Sequence, residues 1–251
     1  MSRHRHIIWL AAAVLLICGP FTWAQDLKPV APPPSPGTGS REIHPYLPAA
    51  DDRRETIRLN SACRNIENSY ECAKAVEKIQ LPRYPQLVNR QGGTLRLTLK
   101  SGKVVELKDV VIEGQETKTV LFSFREFLQE LGYYLIHVQP YEGSSYLMVN
   151  YQNGKPYPLH DLFLLSPDRQ RLATVLNSEA HNPNAIQIWR ISPEKMTLEW
   201  SLWPKIWGPT DGAWQNNDTL TFAKTDEKGV RFEKMMVRKD QTGWRLSAAI
   251  P

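Results

Sequence analysis

From Thr94 onward, apolar and polar residues alternate with a period of two. Thr94–Leu95–Arg96–Leu97–Thr98–Leu99–Lys100 is the cleanest run, and alternation of this kind predicts a half-buried strand. Ser101–Gly102 turns the chain and Val104–Val105–Glu106–Leu107 returns, which makes a hairpin. Three similar units follow. Tyr146 to Tyr151 and Tyr157 to Leu159 flank Asn153–Gly154. Ile186 to Ile191 and Thr197 to Leu202 flank Pro193–Glu194. Phe232 to Arg238 and Trp244 to Ser247 flank Gln241–Thr242–Gly243. Shorter strands are predicted between them at Val120–Phe124, Tyr133–Val138, Phe163–Leu165, Leu172–Leu176, Ala213–Trp214 and Thr219–Phe222.

Before Gly93 the period is nearer 3.6. Asn68 or Ser69 caps a helix over Tyr70 to Gln80, with Glu71 in its first turn. Ala73, Val76 and Ile79 or Gln80 form its apolar stripe, and Pro82 and Pro85 stop it. Residues 51–92 thus read as a helical segment and residues 93–251 as a β-rich domain. The fold class is mainly β, as propeller-like antiparallel blades or a sandwich of sheets, behind a short helical piece.

Gly102, Gly154, Pro193 and Gly243 recur at intervals of about 52, 39 and 50 residues, near the length of one four-stranded propeller blade. The run Leu165–Ser166–Pro167–Asp168–Arg169–Gln170–Arg171–Leu172–Ala173 resembles the Ser-Pro-Asp-Gly turn of WD-like and Tol-associated β-propeller blades, with Arg169 in place of the glycine. Ala213 to Phe222 is similar in shape without the Ser-Pro-Asp. Ile188–Trp189–Arg190 is similar to the apolar-Trp-Asp strand ending, with the acid replaced. More broadly, the chain resembles small exported bacterial proteins of unassigned activity. The resemblance implies a binding platform and no particular catalytic mechanism. Residues 94–251 provide three to four blades, at the lower limit for closing a ring.

The first 24 residues read as an export signal. Arg3 and Arg5 precede an apolar run from Ile7 to Cys18, Gly19–Pro20 breaks it, and Thr22 and Ala24 suit peptidase cleavage before Gln25. The alternative is lipidation of Cys18, although Ile17 stands where a lipobox wants a small residue. No later run is long enough to span a membrane, so the mature chain is expected to be periplasmic or secreted. Residues 25–50 form a Pro-rich tether (Pro29, Pro32, Pro33, Pro34, Pro36, Pro45, Pro48) with too few apolar residues to fold alone.

Of the three cysteines, Cys63 and Cys72 remain after cleavage, an even pair in an oxidising compartment and hence a predicted disulfide. The full chain carries 31 Lys and Arg against 26 acids; losing Arg3 and Arg5 lowers the net charge from +5 to +3. Cations and acids interleave, as in Lys224–Asp226–Glu227–Lys228, so there is no basic stripe to track phosphates and nucleic acid is not an expected partner.

Candidate chemistry is sparse. His44, His137, His160 and His181 lack metal-ligand spacing. His160–Asp161 with Ser166 lacks a nucleophile elbow. Glu142, Asp161 and Asp168 are turn acids that nothing pairs for glycosidase work. Asp211, Asn216, Asn217 and Asp218 are oxygen-rich without calcium-loop spacing, and Gln91–Gly92–Gly93–Thr94 precedes a strand, not a helix. No catalytic residue, metal or cofactor is expected. All six tryptophans of the mature chain lie between Trp189 and Trp244, and Trp203 and Trp207 fall in a loop among prolines and glycine. Trp203 and Trp207, with Tyr141 and Glu142, are the candidate binding residues, since aromatics dominate recognition surfaces. The expected function is a non-enzymatic binding module of the cell envelope that contacts a protein or glycan through aromatic loops. The alternative is an envelope hydrolase acting on glycan or peptide.

Overall fold

The structure is a computed structural model and describes residues 62–178, 183–226 and 228–249. The export signal, most of the tether-to-helix stretch, Cys18, His44 and His181 lie outside the described residues.

Helix α1 spans Ser69–Gln80. The Asn68 Oδ1 accepts from the backbone N–H of Tyr70 at 2.9 Å and of Glu71 at 3.1 Å, which satisfies two amides that have no partner inside the helix. A 3₁₀ turn over Leu81–Arg83 ends it at Pro82. Ala73, Val76 and Gln80 are buried as the stripe requires, with Gln80 taking the place offered to it or Ile79, but so is Glu77. The Cys63–Cys72 disulfide ties the first turn of α1 to the segment before it, with Cα atoms 5.0 Å apart.

Among the described residues fifteen strands follow: β1 (Val88–Gln91), β2 (Thr94–Thr98), β3 (Val104–Lys108), β4 (Val120–Leu128), β5 (Tyr133–Pro140), β6 (Ser145–Asn150), β7 (Pro156–Leu159), β8 (Phe163–Leu165), β9 (Arg171–Leu176), β10 (Ala185–Ile191), β11 (Met196–Leu202), β12 (Gly208–Asn216), β13 (Thr219–Thr225), β14 (Arg231–Asp240) and β15 (Gly243–Ala248). They form four antiparallel sheets, each a meander in chain order: β1–β3, β4–β7, β8–β11 and β12–β15. The four predicted hairpins are the closing pair of each sheet, which explains their recurrence. Strand β1 lies inside the stretch read as helical. Its sequence Val-Asn-Arg-Gln has a single apolar residue and no alternation to betray it, and it is held by pairing with β2.

Three apolar clusters each join consecutive sheets. Leu95 and Leu97 meet Phe124, Tyr134 and Ile136 between the first two sheets. Tyr133, Leu135 and Met148 meet Phe163, Leu172 and Trp189 between the second and third. Ala173, Ile186 and Ile188 meet Trp214, Leu220, Phe222 and Val237 between the third and fourth. The inner sheets are therefore covered on both faces. This is why Tyr133–Tyr134–Leu135–Ile136 is a continuous apolar run: odd positions face one neighbour and even positions the other.

Alternate connections leave the sheets at opposite ends. At one end the tight turns interlock. The Asn150 Nδ2 donates to the Pro193 carbonyl at 2.9 Å, and the Tyr133 hydroxyl donates to the Ser192 carbonyl at 2.8 Å. Gly154 has a φ of +76°, and an added Cβ there would meet Val105 Cγ2 at 2.8 Å, so the Asn153–Gly154 turn nests against the first sheet only as glycine. At the other end lie the longer loops.

Candidate functional site

The loop end gathers the β5–β6, β7–β8 and β11–β12 connections, and with them all four residues singled out for binding. Tyr141 is 53% exposed and Glu142 is exposed. Trp203 is half-buried, edge-on to the His160 ring at 4.8 Å. Trp207 is half-buried too. It stacks on Phe222 (6.0 Å between centroids, 10° between planes), beneath Lys224 Nζ at 5.1 Å. Its carbonyl accepts from Asn184 Nδ2 at 2.9 Å. The two tryptophans thus anchor their loop to the body, Trp203 on the second connection and Trp207 on the third cluster. Between them Ile206 projects with 85% of its surface exposed. Sequence reasoning passed over Ile206. Its signal was an aliphatic residue held between two anchoring tryptophans in a loop.

Behind these loops, on β5 and β6, lie His137 and Tyr146, paired across the strands with rings 5.3 Å apart. His137 is 6% exposed, and its Nδ1 is buried without a hydrogen-bond partner. Burial, with help from the Arg125 charge, lowers its pKa from 6.5 to about 4. Burial lowers His160 as well and raises Asp161, whose Oδ1 accepts from the Leu162 amide at 2.7 Å.

His137 makes stability depend on pH. The unfolded chain takes up the proton near 6.5 and the folded chain only near 4, so stability rises with pH across that window. Acidification from pH 7 to pH 4 is expected to remove up to about 3 kcal/mol through this group, and His137→Gln should remove that part of the slope. His160 acts with the same sign. Asp161 opposes it, because its raised pKa favours the folded state at low pH. Urea midpoints at pH 7 and pH 4.5, for both proteins, measure the difference.

The catalytic alternative finds no assembled group. Ser166 stands at the turn end of β8 and His160 and Asp161 at its loop end, so the strand separates them. The Ser166 hydroxyl donates to Asp168 Oδ1 at 2.6 Å and accepts from the Arg171 amide at 3.0 Å. Asp168 Oδ1 also accepts from the Gln170 amide at 3.1 Å, and Asn217 Oδ1 accepts from the Asp168 amide at 3.0 Å. The Ser-Pro-Asp run is thus a turn device that links the third and fourth sheets. Arg169 has a φ of +58°, the left-handed conformation that glycine supplies in the pattern it resembles. Asp218 and its neighbours make a similar turn, with Asn216 Oδ1 accepting from the Asp218 amide at 2.9 Å. Among the described residues, no group of three metal-ligating side chains is gathered.

Beneath the turns, sequence reasoning missed a buried charge network. Glu199 is 5% exposed, and its Oε2 accepts from Arg171 Nε at 2.9 Å and Trp244 Nε1 at 3.1 Å. Lys239 Nζ lies 3.7 Å and Arg190 Nη1 4.0 Å from its Oε1. Arg171 also donates to the Asn217 carbonyl and faces Asp218 at 3.6 Å. This network joins β9, β11, β14 and β15 and reads as structural.

No family model, curated protein or solved structure matches the chain.

Proposed function

We propose that this chain is a non-enzymatic exported binding module of the cell envelope, periplasmic or secreted, that holds a protein or glycan by the loop end of its sheets. The carrying observation is Ile206: a protruding aliphatic side chain on a loop fastened on both sides by Trp203 and Trp207. A contact residue preorganised in this way loses little entropy on binding. Tyr141 and Glu142 extend the surface. Export is supported by the Cys63–Cys72 disulfide. The four stacked meanders are read as successive blades of a small propeller-like assembly, whose loops carry recognition while the sheets hold them still.

The test is binding of the mature protein to envelope extract, with components identified by crosslinking and mass spectrometry. Ile206→Asp is expected to cost about 2 kcal/mol, a roughly thirtyfold loss of affinity, as at other interface hot spots. Lys103→Glu, in a turn at the opposite end, should change nothing. Undiminished binding by Ile206→Asp together with Trp203→Ala would place the contact surface elsewhere.

A further inference from the structure

Among the described residues, Arg125 makes no hydrogen bond and no ion pair, although its Nε is buried. A buried guanidinium N–H without an acceptor costs free energy, so such a group calls for a partner. A bulge places it. Phe124 pairs with Ile136 and Glu126 with Leu135, so Arg125 is the extra residue of β4 and its side chain escapes the strand's alternation. It reaches the Tyr146 ring at 5.9 Å from the centroid.

Around it stand other groups with spare capacity. The His137 Nδ1 is buried and unpartnered, and the His137 ring packs against Tyr146. Burial raises the Tyr146 hydroxyl, and the charge of Asp161, on the β7–β8 connection, acts on it with a sign opposite to that of Arg125. Next along that connection, His160 carries the Trp203 ring. The cluster therefore offers a cation, an anion, an imidazole and two aromatic rings, beside the loop that bears Ile206. Ser123, which pairs with His137 across β4, completes the row.

Opposite charges left apart suit a ligand that brings both an acidic group and donors. His137 and Tyr146 lie on β5 and β6, and each of these strands is paired on both sides, so no free strand edge there can hold a peptide main chain. A sugar needs none: its hydroxyls donate to a carboxylate, and its apolar face packs on an aromatic ring. We propose that this cluster binds an acidic saccharide, with Arg125 pairing to its carboxylate, Asp161 taking ring hydroxyls, Tyr146 or Trp203 covering the ring, and the buried His137 holding Tyr146 in place. The inference rests on the loop-end binding role above and names the ligand class of that site.

Calorimetric titration with short oligogalacturonates and with their methyl esters tests it. The acid is expected to bind, and the ester, which replaces the carboxylate charge with a methyl group, about tenfold more weakly or worse. Arg125→Gln should bring the acid down to the ester's affinity, and Arg125→Lys should recover part of the loss. Asp161→Asn should weaken acid and ester alike. Thermal melts check that each variant folds; if Arg125→Gln does not, the acid-to-ester ratio of the unaltered protein decides. Failure of both sugars to bind, equal binding of the ester, or a glutamate-rich peptide bound in preference to the sugar would overturn the proposal. Those failures are separable from failure of the loop-end reading, which the Ile206→Asp measurement judges by itself.

Discussion

Glu199→Ala is expected to destabilise the protein by about 3–5 kcal/mol, the range seen when one partner of a buried ion pair is removed. Glu199 compensates Arg171 and Lys239, whose side chains are 2% and 5% exposed. Without it, the buried Arg171 and Lys239 and the half-buried Arg190 lose the carboxylate they converge on, and Asp218, 3.6 Å from Arg171, is about one-third exposed. The Trp244 Nε1–H also loses its acceptor. Lys239 already has a lowered pKa, led by burial, and the Glu199 charge is what opposes that shift. The readout is the urea midpoint, with an expected fall in Tm of the order of 10 °C for a domain of this size. Arg171→Met with Glu199→Leu and Lys239→Met should be far milder than the sum of the single changes, since removing the three buried charges together removes their desolvation cost as well. If Glu199→Ala unfolds at the same urea concentration as the unaltered protein, the network does not hold the sheets together.

Trp214→Ala is expected to cost a similar 3–5 kcal/mol, for a different reason. Trp214 is 1% exposed, on the first strand of the fourth sheet. Its Nε1 donates to the Leu164 carbonyl of the third sheet at 3.1 Å, and its ring lies edge-on to Trp244 at 6.0 Å. Alanine leaves a cavity in the third cluster and removes the donor that Trp214 supplies to Leu164. Because this cluster joins only the third and fourth sheets, the damage should be local. Hydrogen exchange is expected to show β12–β15 losing protection while β1–β7 keep theirs. Trp214→Phe keeps most of the buried area and should cost only about 1–2 kcal/mol for the lost hydrogen bond. Uniform loss of protection across all four sheets in Trp214→Ala would show that the stack unfolds as one cooperative unit.

The helix was legible to within a residue because its signals are local: an Asn at the cap, an acid in the first turn, prolines at the end. The hairpins were legible because alternation and turn glycines are local as well. Strand β1 was not, since a four-residue strand of mostly polar residues owes its existence to the partner it pairs with. Arg125 carried a readable trace. The adjacent polar pair Arg125–Glu126 interrupts the alternation, as a bulge must. Of the four candidate binding residues, all came to the loop end, but Trp207 has its ring against the core. Ile206 left only a faint trace, an aliphatic residue between two loop tryptophans, because its exposure depends on where those tryptophans dock.

From sequence alone came the class of each element, the turns between them and the recurrence that makes each sheet a meander, because backbone preferences and side-chain period act over a few residues. Tertiary structure alone decided that Glu199, in a strand where it alternates like any solvent-facing acid, is buried against Arg171 and Lys239. It also decided that the loop end presents Ile206, between Trp203 on His160 and Trp207 on Phe222. Burial and charge pairing depend on which sheet lies opposite, and that is set by contacts between residues far apart in the chain.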